Sequence, residues 1–188
     1  MRNLIYSMGA SLDGFIAAPD GDIDWGAPDA ELHRFHNDQT REISAYLCGR
    51  RLYQTMLPWE TTDEAQFGPV ELEFARIWKA IPKVVFSTTL ARVEGNATRA
   101  SEGVAAEVAK LKDQPGQGVV SVGGAGLAAE AIQLGLVDEF RLFYSPVVLG
   151  GGTPYFPRLA NRMNLELVET RTFGSRVVYV RYRRSQER

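Results

Sequence analysis

The sequence predicts an α/β fold of three layers (αβα), in which helices cover both faces of a mainly parallel central sheet and an antiparallel hairpin closes the chain. Two observations support this prediction. Short apolar runs typical of buried strands alternate with segments whose apolar residues recur at helical spacing, as in parallel sheets built from βα units. The last two predicted strands, at 165–172 and 176–183, are instead joined by a short Gly174-Ser175 turn that suits a type II′ hairpin.

The first third of the chain is predicted to contain two strands and two helices. These are a strand at 3–9, a helix that begins near Pro28, a strand at 45–49 and a helix at 50–56. Pro28 suits the first turn of a helix, and Asp29 and Glu31 suit its positive end. Residues 11–22 are rich in turn-forming residues and are expected to form a long loop.

The rest of the chain continues the alternation after a polar connection at 60–69. Val70, Phe74, Ile77 and Trp78 recur at helical spacing, and we interpret the aromatic pair as core. The further predicted elements are strands at 83–87, 97–100, 119–122 and 139–149, helices at 104–111 and 127–134, and the closing hairpin.

Length and composition limit the class of protein. The 188 residues, 45% of them apolar, fit one globular domain spanning 1–188, and no segment approaches the roughly 20 apolar residues of a membrane span. A net charge of −2 provides no basic field for nucleic acid, and the single Cys48 excludes an internal disulfide. The first residues show no signal-peptide pattern. We therefore expect a soluble, cytoplasmic protein with neither a nucleic-acid nor a membrane partner.

Three predicted strands end in residues that suit anion binding. They are followed by Gly49-Arg50, by Ser87-Thr88 and by Gly123-Gly124. Ligands of open α/β sheets bind beyond the carboxyl ends of the strands, and glycines let an anion approach the N–H groups of a helix N-terminus. Each turn alone is also consistent with an ordinary bend. Their occurrence after three core strands predicts a site for a phosphate-rich ligand.

Several motifs in a fixed order resemble those of the dihydrofolate reductase-like superfamily. They are Ser11–Ala17, Gly49–Tyr53, Val122–Leu127, Gly135–Glu139 and Ser145–Pro154. The last of them is especially similar to the reductase domain of the bifunctional riboflavin-biosynthesis deaminase/reductase. The resemblance covers nearly the whole chain and implies a dihydrofolate reductase-like fold.

The resemblance implies an NADPH-dependent reductase and assigns cofactor contacts. Cofactor phosphates are expected at Gly49, Arg50 and Arg51, the 2′-phosphorylated ribose at Ser87 and Thr88, the pyrophosphate at Gly123, Gly124, Ala125, Gly126 and Leu127, and the nicotinamide at Ile16 and Ala17. In that family the bond between the two glycines matching Gly123 and Gly124 is often cis. The guanidinium groups of Arg50 and Arg51 suit phosphate oxygens independently of the resemblance.

The resemblance predicts the substrate less firmly than the cofactor. It implies 5-amino-6-(5-phosphoribosylamino)uracil, a riboflavin precursor, or another small heterocyclic or phosphoribosylated compound. Asp13, Trp25 and Tyr155 are candidates for the substrate side; the alternative is a turn aspartate and two aromatic residues that cover the core. No catalytic residue is identified. The closing strand and hairpin offer a possible homodimer interface.

Two other functions are consistent with the sequence, a dihydrofolate reductase and a non-catalytic nucleotide-binding module. Dihydrofolate reductases carry a carboxylate two residues after the proline that follows the loop tryptophan, and here that position is Ala30. Asp29 or Glu31 could replace it after a helix shift, but helix-start acids are the simpler interpretation.

The sequence shows no nucleophile or metal site. Cys48 falls within a predicted buried strand, and His33 and His36 lie three residues apart on a polar helix. The spacing of the two histidines is compatible with metal ligation, but no carboxylate partner is evident. We interpret both as surface residues of the helix.

Overall fold

Ten strands and six helices form the part of the chain that the computed structural model describes, residues 1–185. The strands are β1 (Leu4–Ser11), β2 (Phe15–Ala17), β3 (Ile43–Gly49), β4 (Lys83–Phe86), β5 (Ala97–Arg99), β6 (Val119–Gly123), β7 (Glu139–Ser145), β8 (Thr153–Pro154), β9 (Leu165–Thr172) and β10 (Val178–Arg184). The helices are α1 (Ala30–Arg41), α2 (Arg50–Met56), α3 (Pro58–Thr61), α4 (Pro69–Ala80), α5 (Val104–Asp113) and α6 (Ala125–Gln133).

Eight of the strands make one sheet in the order β5-β4-β3-β6-β1-β7-β10-β9, and β2 pairs with β8 separately. The strands from β5 to β7 are parallel, whereas β10 runs antiparallel to both β7 and β9. Gly49 is opposite Phe86, and Cys48 is opposite Gly123. The carboxyl ends of β4, β3 and β6 therefore lie side by side, as the sequence predicts.

Adjacent residues of a strand point to opposite faces of the sheet. Apolar strand residues occur on both faces here, and helices cover both. Tyr6, Leu47 and Phe140 are fully buried on the face that packs against α5 and α6. Tyr46 and Cys48 point to the other face, towards α2 and α4. Burying one such large apolar side chain contributes about 1.5–3 kcal/mol. The predicted three-layer fold is confirmed.

The boundaries of the first helices have local causes. Asp29 is the N-cap of α1, and its side chain accepts a hydrogen bond of 2.8 Å from the backbone N–H of Leu32. Helix α2 ends at Met56 as predicted, but Pro58 then begins the short helix α3, because proline is tolerated at the first position of a helix. No helix in residues 1–185 has the length and apolar character that crossing a bilayer requires.

The closing hairpin differs from the predicted type II′ turn. Its loop has three residues, 174–176, with Phe173 N–H donating to the Val177 carbonyl at 3.0 Å. Arg176, rather than Gly174, adopts positive φ (+65°). A three-residue loop places the left-handed residue last, whereas a type II′ turn requires it first.

Candidate functional site

The glycine turns after β3 and β6 pack directly against each other. A Cβ atom built on Gly124 would lie 3.5 Å from the backbone nitrogen of Gly49, and φ of Gly124 is +90°, which L side chains rarely adopt. A Cβ on Gly123 would lie 2.7 Å from Tyr46 Oη and would also overlap Leu52. Gly123 therefore requires glycine because a Cβ has no room there, and Gly124 requires it because of its backbone conformation.

Helix α6 begins at this turn with its first N–H groups free of a side-chain cap. The N-cap is Gly124, which has no side chain to accept a hydrogen bond from these N–H groups. A Cβ atom built on Gly126 would meet open space. The N-terminal end of α6 is accordingly accessible and carries the partial positive charge of the helix. The cis bond expected between Gly123 and Gly124 is absent, since all peptide bonds in residues 1–185 are trans.

A surface cleft of about 530 Å³ lies beside these turns. Arg50 lines it together with Ser87 and Thr88, so the structure brings together residues predicted from two separate strand ends. Ser87 Oγ accepts a hydrogen bond of 3.0 Å from Leu90 N–H, which orders the turn after β4. Arg51 is exposed and does not line this cleft.

The loop with Ile16 and Ala17 is held at the carboxyl end of β1 by pairing with β8. Ala17 is opposite Thr153, and a Cβ on Gly152 would overlap the carbonyl oxygen of Ala17. Because β1 lies next to β6 in the sheet, Ile16 and Ala17 follow the strand adjacent to the Gly-Gly turn.

Asp13 ties two loops together. Its carboxylate accepts hydrogen bonds from Ser11 Oγ at 2.7 Å, Leu149 N–H at 3.1 Å and Gly150 N–H at 2.7 Å. The hydrogen bond from Ser11 is the main cause that lowers the pKa of Asp13. This is the turn aspartate of the alternative interpretation, because its oxygens are used by the chain.

Tyr155 is not at the rim of a site, which corrects the prediction of a substrate contact. It is 2% exposed, and its hydroxyl donates to the Tyr6 carbonyl at 2.8 Å. A buried tyrosine hydroxyl needs a hydrogen-bond partner, and that of Tyr155 finds one in β1, so the whole side chain is part of the core.

Trp25 is half-buried on a short 3₁₀ turn, where its Nε1–H donates to the Asp22 carbonyl at 3.1 Å. Trp25 also lies outside the lining of the cavity described next.

A cavity of about 500 Å³ lies between the sheet and helices α1 and α4, and sequence reasoning missed it. Its lining includes Ser7, Met8 and Gly9 from the middle of β1, and Ala27 and Pro28 from the loop before α1. The remaining lining residues are mostly aromatic or uncharged: Ile5, His33, His36, Gln39, Thr40, Ile43, Tyr46, Met56, Trp59, Glu71, Phe74, Trp78, Ser121, Arg141 and Phe143.

Tyr46 connects this cavity to the glycine turn. Its side chain lines the cavity, and its hydroxyl oxygen would lie only 2.7 Å from a Cβ atom on Gly123. Ser121, two residues before Gly123, also lines the cavity. Tyr46 therefore lies between the cavity and the turn at which α6 begins.

His33 and His36 line the cavity, so their interpretation as surface residues is wrong. The His36 ring lies 4.3 Å from the ring of Phe143, and the His33 ring lies 5.8 Å from that of Phe74, measured between centroids. Burial, with a smaller contribution from repulsion by His33, lowers the pKa of His36 to about 4. Burial also lowers the pKa of His33. Both imidazoles are therefore neutral at pH 7.

Neither acid at the start of α1 reaches this cavity. The side chain of Asp29 caps the helix, and Glu31 Oε2 accepts a hydrogen bond of 3.1 Å from Gly174 N–H in the closing hairpin. The lining of the cavity includes neither residue. The simpler interpretation as helix-start acids agrees with these contacts.

Comparison with known proteins relates this arrangement to a family. The sequence profile of the RibD C-terminal domain matches residues 2–179. The chain is 37% identical to the Bacillus subtilis protein named "Uncharacterized protein YyaP" over 184 residues, covering 96% of this chain and 94% of that protein.

Two solved structures share the fold. The diaminohydroxyphosphoribosylaminopyrimidine deaminase/5-amino-6-(5-phosphoribosylamino)uracil reductase of Thermotoga maritima superposes with a TM-score of 0.68 and 17% identity, over 98% of this chain and 57% of that chain. Dihydrofolate reductase from Enterococcus faecalis superposes with a TM-score of 0.62 and 16% identity, over 98% of this chain and 97% of that chain. The chain therefore has a dihydrofolate reductase-like fold and belongs to the RibD C-terminal domain family, whose members are reductase-like.

Proposed function

We propose that this protein is an NADPH-dependent reductase of the riboflavin-biosynthesis type, which reduces a small molecule bound in the 500 Å³ cavity. The observation that carries the proposal is the contact of Gly124 with Gly49 beside that cavity. It brings two glycine turns together at the N-terminus of α6, where Gly124 has a positive φ that L side chains rarely adopt.

The chemistry of the neighbouring residues fits the cofactor. The free N–H groups at the start of α6 suit a pyrophosphate, and Arg50, Ser87 and Thr88 around the cleft suit a 2′-phosphate. Ile16 and Ala17, held by β8, are proposed to contact the nicotinamide. NADPH supplies a hydride when bound, so the protein needs no nucleophile of its own. Its residues orient the two reactants and exclude water.

The contacts of α1 argue against dihydrofolate as the substrate. A carboxylate that binds a pterin would have to enter the cavity from the first turn of α1. Ala30 has no carboxylate, and both neighbouring acids are engaged elsewhere. A non-catalytic nucleotide-binding module remains distinguishable by experiment, because it would bind NADPH without oxidising it.

Titration calorimetry with NADPH and with NADH tests the cofactor assignment. We expect saturable binding of NADPH, and Arg50→Ala should weaken it roughly 10-fold, the loss of one charge-assisted contact. Arg34→Ala is the matched control, since Arg34 is an exposed arginine on α1 outside the cleft. Absence of binding to the wild-type protein, or equal affinity in the Arg50 variant, would contradict the assignment.

A further inference from the structure

The walls of the cavity are suited to a flat ring system. Trp59, Phe74, Trp78, Tyr46 and Phe143 all contribute to the lining. The rings of Trp59 and Phe74 are 4.8 Å apart, and those of Tyr46 and Trp78 are 5.1 Å apart, both in edge-to-face arrangement. Aromatic walls of this kind favour a planar ligand that packs against their faces and edges.

The charges of the cavity are already balanced within the protein. Among its lining residues only Arg141 and Glu71 are charged at neutral pH. Arg141 Nε donates to Glu139 at 2.7 Å, and its Nη1 donates to Glu42 at 3.1 Å. Glu71 is exposed in the first turn of α4 and accepts a hydrogen bond of 2.7 Å from Gly68 N–H. A phosphate placed inside would meet no uncompensated cation among these residues.

The polar groups that stay available are uncharged. Within residues 1–185 the imidazoles of His33 and His36 contact aromatic rings and form no side-chain hydrogen bond. Ser121 Oγ is fully buried beside Tyr46 and has no hydrogen-bond partner within the described residues. A neutral imidazole offers one donor and one acceptor, and a hydroxyl offers both. These groups suit carbonyl or ring-nitrogen atoms of a neutral molecule.

We propose that the cavity accepts an uncharged, planar, conjugated carbonyl compound, with the imidazole of His36 hydrogen-bonded to its carbonyl oxygen. This inference rests on the proposed reductase function and differs from the phosphoribosylated substrate that the resemblance implies. In the reaction, a carbon of the conjugated system gains the hydride of NADPH. The π electrons move onto the carbonyl oxygen, which gains a proton from water, and NADP⁺ is the oxidised product.

Direct binding to the complex with NADP⁺ tests the proposal, using the fluorescence of Trp59 and Trp78 in the cavity wall. The probes are 1,4-naphthoquinone and its anionic relative 1,2-naphthoquinone-4-sulfonate. Reaction of the quinones with the protein thiol is disfavoured, because Cys48 is buried and burial raises its pKa to about 12. We expect saturable quenching by the neutral quinone, at least 10-fold tighter than by the sulfonate, and oxidation of NADPH at 340 nm with the same preference.

Variants of α1 test the role of His36. His36→Phe should lower kcat/KM for the neutral quinone at least 10-fold without changing the Kd of NADPH, and His36→Gln, which keeps an N–H donor, should restore part of it. Arg34→Ala is the control on the exposed side of the same helix. Preference for the sulfonate, no binding of the neutral quinone, or an unaffected His36→Phe variant would overturn the inference. Failure to bind NADPH would instead overturn the proposed function.

Discussion

Replacement of His36 by phenylalanine should remove a defined part of the pH dependence of folding. The imidazole has a pKa of about 4 in the folded protein and an ordinary value of 6.5, because burial beside Phe143 disfavours its charged form. Between these two values the unfolded state binds a proton that the folded state does not. The stability contribution is therefore complete above pH 6.5 and is lost as the pH falls towards 4.

The size of the effect follows from the pKa difference. One pKa unit corresponds to about 1.4 kcal/mol, so the full contribution is about 3 kcal/mol, of which about 2 kcal/mol is already lost at pH 5. Acidic groups with a lowered pKa, such as Glu73 and Glu107, act mainly below this range and are present in both proteins.

Urea unfolding followed by tryptophan fluorescence at pH 7.5 and pH 5 measures this contribution. The wild-type protein should lose about 2 kcal/mol more than His36→Phe between the two values. The absolute stabilities are not the readout, since the added phenyl ring also packs against Phe143. A difference in pH dependence below about 0.5 kcal/mol, the scale of error in such comparisons, would refute the burial of a neutral imidazole at this position.

Two further predictions concern buried polar groups elsewhere. Tyr155→Phe removes the hydrogen bond to the Tyr6 carbonyl and should lower the free energy of unfolding by about 1 kcal/mol, while turnover of the neutral quinone stays unchanged. A selective loss of turnover would restore Tyr155 as a substrate contact. Lys83→Met breaks the buried 2.6 Å ion pair with Glu60 and should cost about 3–5 kcal/mol in urea unfolding. Adding Glu60→Gln should recover part of this loss, and a double variant as unstable as the single one would contradict the explanation.

The fold and the strand-end turns could be predicted because their signals are local. Gly49, Ser87 and Gly123 each stand at the end of an apolar run, and parallel strands place such ends at one edge of the sheet. The cavity has no such signal. Its walls come from four strands and four helices that are distant in the chain, so only packing shows that they enclose a space.

The histidines illustrate what spacing leaves open. A separation of three residues places His33 and His36 on one face of a helix but does not say which neighbour that face meets. In the structure, Leu32 and Phe35 pack against the hairpin residues Phe173 and Tyr179. That contact rotates the histidine face of α1 towards the cavity.

Tyr179 shows the same limit in a strand. Alternation along β10 suggests that Val178, Val180 and Tyr182 form its buried face and that Tyr179 is exposed. Instead Tyr179 is fully buried, and Val178 is 37% exposed. The reason is that Tyr179 packs against α1 on one face of the sheet while Val180 and Tyr182 pack against the main core on the other, so alternation no longer separates inside from outside.

Helix α1 lines the cavity proposed for the hydride acceptor but contributes none of the groups proposed to bind the cofactor. The groups proposed to hold NADPH follow β1, β3, β4 and β6, and α1 contributes none of them. Its two first-turn acids are fixed outside the cavity, one as the N-cap and one on the hairpin, while two neutral imidazoles face inward. Substitutions on the inner face of α1 should therefore change which molecule is reduced while leaving the Kd of NADPH unaltered.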